Sequence, residues 1–296
     1  MKRYVTLLLL LAIMLWPITS RAKVKVIAST SDLAHFAREV GGDRVMVSHI
    51  APPKADVHFI EVRPSYMMKV ARAEVALKVG LELDMWMDRI IDGSRNNRLL
   101  IVDCSKFIQP LEVPTFKADA RYGDLHRFGN PHYWLSPQNV RPITDAIVEG
   151  FSAVDPEHSN EFIANQGRFL AELEKGLKPL RQRAEALRGK ELVFYHNSWP
   201  YFNEFAGLTA AAFVEPYPGV PPSPSHVKEL IELVRARDIK VIAVEPYFDK
   251  RVPNKIASVT GAQVVTLYPS VGGQSKGETY LEWLESNLNA LLKVLK

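Results

Sequence analysis

Residues 155–189 read DPEHSNEFIANQGRFLAELEKGLKPLRQRAEALRG, and the periodicity of this stretch decides the architecture. Phe162, Phe169, Leu173, Leu177, Leu180, Ala184 and Leu187 recur at steps of three, four or seven, which puts them on one stripe of a helix. Asp155 suits an N-cap, Pro156 the first turn and Gly189 the termination. At about 1.5 Å per residue the run reaches roughly 50 Å, longer than a small domain needs. Pro179 lies inside the stripe, which continues past it, so a kink rather than an end is expected there. An ordinary surface helix explains the stripe alone. A spine between two lobes also explains what flanks it.

On both sides, short apolar runs alternate with helix-like segments. Before the spine, strands are expected at 24–28, 45–50, 75–79 and 99–102, with helices at 30–40, 64–73, 85–91 and 137–151. After it, strands are expected at 192–195, 210–214, 241–244 and 264–267, with helices at 199–205, 225–237, 252–259 and from 279. Strands alternating with helices imply parallel sheets with crossover helices. The expected fold is therefore α/β: two similar Rossmann-like lobes with mainly parallel four-stranded sheets, 23–154 and 190–296, joined by one long rigid spine helix, with a site in the cleft between them.

The chain starts with Lys2 and Arg3, then the apolar run TLLLLLAIMLW, then Thr19, Ser20, Arg21 and Ala22. A basic start, a short apolar core and small residues make a secretory signal peptide over 1–22, with cleavage expected after Ala22. The apolar run is short for a membrane span. Cys104 is the one cysteine, far from the cleavage point, so neither a lipid-anchor cysteine there nor an internal disulfide is expected. The formal charge of +4 loses Lys2, Arg3 and Arg21 with the signal and becomes +1, which gives no case for nucleic acid.

Ligands of open parallel sheets bind at the carboxyl ends of the strands. His58 falls in the loop after the second expected strand, His196 directly after LVFY, Glu215 after AAFV and Glu245 after VIAV, while His132 precedes the helix that leads to the spine. If the lobes face each other, these side chains converge, and imidazoles with an oxygen donor suit zinc or a similar transition metal. By spacing alone the signal is modest, and each histidine is open to a surface or capping role. His35, His126, His158 and His226 fit that role better, and His49 reads as structural. Glu215 and Glu245 could equally cap helices or bond backbone amides.

Four segments carry a resemblance. Residues 56–65, DVHFIEVRPS, resemble the DPHxYExxPS loop of periplasmic zinc- and manganese-binding receptors of ABC importers. Residues 130–139, NPHYWLSPQN, are similar to their DPHxWLDPxN motif. Residues 194–202, FYHNSWPYF, resemble their HDAFxYF segment, and 242–248, IAVEPYF, their IFxEPQF strand end. The resemblance runs across the whole mature chain in the family's order. It implies His58, His132 and His196 as metal ligands. It departs at the fourth, where Pro269 stands in the place of the family's Asp. Water or Glu245, as fourth ligand or as a bracing group, is left for that place. The long His- and acid-rich loop of many zinc receptors is also missing; residues 112–130 offer only His126 and the acids Glu112, Asp119 and Asp124.

The resemblance implies an extracytoplasmic solute-binding protein, monomeric and periplasmic, that captures a divalent transition metal and delivers it to an ABC permease. Three imidazoles favour Zn2+, with Mn2+ next. The alternative is a zinc-dependent hydrolase with an open fourth coordination position. Against it, the sequence has no HExxH motif, and its best base candidates, Glu61 and Glu245, also occur in the receptors.

Overall fold

The structure, a computed structural model, describes residues 22–115 and 126–295. Residues 1–21 of the expected signal segment, and Asp119 and Asp124, lie outside the described residues.

Two four-stranded sheets form, and every strand pair in them is parallel. In the first lobe β1 (Val24–Ala28), α1 (Ser31–Gly41), β2 (Val45–His49), α2 (Pro64–Val70), β3 (Val75–Lys78), α3 (Met85–Ser94) and β4 (Leu100–Asp103) follow in order, and the strands lie β2-β1-β3-β4. Next come α4 (Val140–Val154) and the spine helix α5 (Ser159–Ala184). The second lobe holds β5 (Glu191–Phe194), α6 (Pro200–Ala206), β6 (Thr209–Phe213), α7 (Pro224–Ala236), β7 (Val241–Val244), α8 (Arg251–Thr260), β8 (Gln263–Thr266) and α9 (Tyr280–Leu295). Its strands lie β6-β5-β7-β8, the same order as in the first sheet. Strands covered on both faces read as unbroken apolar runs, and β7, VIAV, is buried at every residue.

The spine differs from its reading in one respect. Pro156–His158 forms a 3₁₀ turn, the α-helix proper is 26 residues, and Glu185–Leu187 closes as another 3₁₀ turn. The α-helical part therefore spans about 39 Å rather than about 50 Å. At the start of the spine the Asp155 carboxylate pairs with the His158 ring at 2.9 Å. The helix does not end at Pro179, as expected. Of the apolar stripe, Phe162, Leu173, Leu177, Leu180, Ala184 and Leu187 are buried and Phe169 is half-buried. Two polar side chains pin the helix to the first lobe. Asn165 donates to the Val40 carbonyl at 2.9 Å, and Gln166 donates to Thr144 at 3.0 Å and to Asp145 at 2.6 Å.

The main apolar core does not stop at the spine. One continuous cluster joins β1 and β3 of the first sheet, the spine stripe, β5 and β7 of the second sheet, and Trp283, Leu288 and Leu291 of α9. A smaller cluster of Val193, Val214, Ile242, Ile256 and others fills the far side of the second sheet. Polar contacts also cross between the lobes. Trp134 Nε1 donates to the Pro269 carbonyl at 2.8 Å, Tyr280 Oη to the Trp134 carbonyl at 2.9 Å, and the Val271 amide to Asp32 at 2.8 Å. Separating the lobes would break these bonds and expose part of a shared core.

Two expectations follow. Small-angle scattering curves of metal-free and zinc-loaded protein will nearly superimpose, because hinge opening would cleave the common core; a marked compaction on loading would contradict this. The second concerns His35 on α1, whose ring packs on Phe36 and Phe169 and whose Nε2 accepts the Tyr280 amide at 3.4 Å. Burial, helped by the Arg38 charge, pulls it down to about 4. The unfolded chain takes up this proton below about 6.5 while the folded protein stays neutral to about 4, so stability falls as pH drops through that window, by at most about 3 kcal/mol. In urea titrations between pH 7 and 4, His35→Gln, which can still accept the amide, will show a shallower loss than the parent; parallel curves would contradict the assignment.

Candidate metal centre

The site lies where both sheets present the carboxyl ends of their strands. His58 sits in the loop after β2, His196 follows β5 by two residues, Glu215 follows β6 by two, and Glu245 directly follows β7. His132 immediately precedes a 3₁₀ turn, Tyr133–Leu135. Tyr133 and Trp134 of that turn are buried, and their bonds to the Val79 and Pro269 carbonyls seat His132 between the lobes.

His58, His132 and His196 come together. One potential ligand atom from each lies within 4.8 Å of the others, and among the described residues this is the group of His, Cys, Asp and Glu that meets that spacing. Their ring centroids are 5.0 Å (His58–His132), 5.0 Å (His58–His196) and 5.7 Å (His132–His196) apart. Each ring is held through Nδ1 by a different acceptor: Asp56 at 2.7 Å, Asn130 at 2.9 Å and Glu215 at 3.0 Å. The carboxylates can only accept, so Nδ1 of His58 and of His196 carries the hydrogen. The Asn130 amide is oriented by its own neighbours. Its Nδ2 donates to Glu112 at 3.1 Å and to the Asn197 carbonyl at 2.8 Å, which leaves Oδ1 to face His132. All three imidazoles therefore present a bare Nε2, the tautomer a metal needs. Nε2 of His58 and of His132 is buried with no hydrogen-bond partner.

The electrostatics favour an ionised Asp56 and a neutral His132. Burial opposes the charge on Asp56, yet the bonds from the His58 ring and amide outweigh it and hold the carboxyl below its ordinary value. Burial, then the proximity of His58, His196 and His126, pushes His132 well below the free-imidazole value.

Glu245 stands outside this group. It is fully buried; Oε1 accepts from Ser198 Oγ at 2.9 Å and from Trp199 Nε1 at 2.8 Å, and Oε2 has no partner. Burial pushes its carboxyl up to about 7 against those two bonds. It braces the segment just after His196, and the role of fixing an imidazole nitrogen, which the sequence left open to Glu245, belongs to Glu215. Glu215 also accepts the Gly219 amide at 3.3 Å. Pro269 offers its carbonyl to Trp134.

His126 corrects its sequence reading. It is no surface histidine: it is 8% exposed, its ring stacks on His58 at 5.5 Å and 22°, and its Nε2 is buried without a partner. Burial, with His58 and His196 close by, pulls it down to about 3. No local pattern around it announced this. It depends on the turn at Gly129, whose φ of 103° favours glycine, and on Arg127, which reaches back to Glu82.

Comparison with known proteins agrees with this fold. The high-affinity zinc uptake system protein ZnuA of Yersinia pestis is 24% identical, over 93% of this chain and 92% of its own. The manganese ABC transporter substrate-binding lipoprotein PsaA of Streptococcus pneumoniae is 24% identical, over 94% and 91%. Among solved structures, a crystal structure of ZnuA overlays with a TM-score of 0.79 at 24% identity, covering 93% of this chain and all of that one. Residues 26–294 match the profile of the zinc-uptake complex component A periplasmic family, so the chain, with its two parallel lobes and long connecting helix, belongs to that family.

Proposed function

We propose that this protein is an extracytoplasmic receptor that captures a divalent transition metal, zinc before manganese, and delivers it to the membrane permease of an ABC importer. The supporting observation is the buried trio of His58, His132 and His196, each locked through Nδ1 and bare at Nε2, in the cleft between two lobes that share a core. On this reading His58, His132 and His196 bind the ion directly, and Glu245 stiffens the segment after His196. Residues 1–22 are the export signal, 23–154 and 190–296 the lobes and 155–189 the link, and the mature monomer works in the periplasm.

Binding without reaction is what such a site favours. Of the two base candidates a hydrolase would use, Glu61 is exposed and paired with Arg63 at 2.8 Å, and Glu245 has one oxygen taken up by Ser198 and Trp199. Glu61 is thus committed to Arg63, and Ser198 and Trp199 hold the Glu245 carboxylate against the segment after His196. Family relatives named for zinc and for manganese uptake support the same reading.

Zinc accepts several imidazoles readily, while manganese favours oxygen donors. In competition with a chromophoric chelator at neutral pH, zinc will be retained more tightly than manganese; the reverse order would overturn the choice of ion. In the same assay His58→Ala, His132→Ala and His196→Ala will each weaken zinc retention far more than Glu245→Gln, whose loss should fall in the range of about 10- to 100-fold typical of groups that support ligands. A Glu245→Gln loss equal to the histidine losses would make the glutamate a ligand.

A further inference from the structure

A three-imidazole site leaves one place in a tetrahedral shell, and the chain has no carboxylate where its family's Asp stands. We propose that His126 supplies the fourth donor, closing an all-imidazole shell around the ion. The inference rests on the triad being the metal site.

Three observations support it. The first is the orphan nitrogen. His126 is 8% exposed and its Nε2 is buried with no partner, the state that Nε2 of His58 and of His132 also shows. Buried polar atoms are normally paired, and a set of unpaired imidazole nitrogens in one place points to a shared cation. The second is position. The His126 ring is 5.5 Å from that of His58, within the 5.0–5.7 Å range that separates the triad rings. His126 also lines the same cavity, about 240 Å³, as His132 and His196. The third is how the ring is held. Arg127 donates to Glu82 through its backbone amide at 2.9 Å and through Nε at 2.8 Å, and the Gly129 amide closes on the His126 carbonyl at 3.4 Å. The side chain is thus delivered to the cleft by a tied turn, with its Nε2 held by no hydrogen bond.

His126 is not within the group whose donor atoms lie inside 4.8 Å of one another. Completing the shell requires the ring to rotate toward the ion from its stacked place on His58. Four neutral nitrogen donors would also sharpen discrimination, because manganese prefers oxygen and zinc is content with tetrahedral imidazole.

X-ray absorption fine structure of the zinc-loaded full chain decides the matter, with chelator competition alongside. The parent should show four imidazole nitrogens. His126→Ala and the more conservative His126→Gln should each show three plus an oxygen, with zinc retention weakened about 10-fold or more, at or above the lower end of what losing a supporting group costs. Three imidazoles and an oxygen in the parent, unchanged in both variants, would overturn the proposal and leave the triad intact. A parent that holds no zinc, or holds it equally well with His132→Ala, would sink the triad reading and this inference with it.

Discussion

Three imidazoles must be buried together with bare nitrogens facing one another, and the rest of the molecule is arranged around that requirement. An unpaired buried polar atom is unfavourable, and several in one place are tolerated only if the surroundings prevent them from turning away to find partners. The structure meets this by fixing the opposite nitrogen of each ring: Asp56, Asn130 and Glu215 each hold one Nδ1. The three acceptors come from three separate segments of the chain. The site exists only while the loop after β2, the turn before α4 and the ends of β5 and β6 keep their places.

Those places are kept by packing rather than by further bonds at the site. The spine stripe and the central strands of both sheets belong to one apolar cluster, so the two lobes are fixed relative to each other by burial. Trp134 and Trp199 are the links between core and cleft. Each is almost fully buried, each stands within three residues of a triad histidine, and each gives its indole hydrogen to the other polar elements of the cleft wall, Pro269 and Glu245. A displaced tryptophan would therefore move a triad histidine.

Much of the fold was legible in the sequence, because period-2 and period-3.6 patterns are local. All eight expected strands and the helices between them form, with ends displaced by a few residues, and Thr30 caps α1 through the Leu33 amide as its position implied. The spine runs as read, but its two ends are 3₁₀ turns rather than α-helix, and Asp155 pairs with the His158 ring, details that spacing does not disclose. That the three histidines meet was legible from the strand-end places of His58 and His196 and from the resemblance. What stayed hidden depends on non-local geometry. Glu215 and Glu245 stand at equivalent strand ends, and only the folded lobes decide which one meets an imidazole. His126 looked like a polar-loop residue, since the burial that distinguishes it comes from His58, some 70 residues earlier.

Asn130 stands where the family motif has Asp, and its surroundings make that choice hard to reverse. Its Nδ2 hydrogens are spent on the Glu112 carboxylate and the Asn197 carbonyl, and Asn197 donates to the same Glu112 oxygen at 2.8 Å. Returning aspartate to this position alone would set a carboxylate against another carboxylate and a carbonyl, with His132 able to satisfy only one of its oxygens. Positions 112, 130 and 197 are thus interlocked: aspartate at 130 would become acceptable only with a change at Glu112 as well.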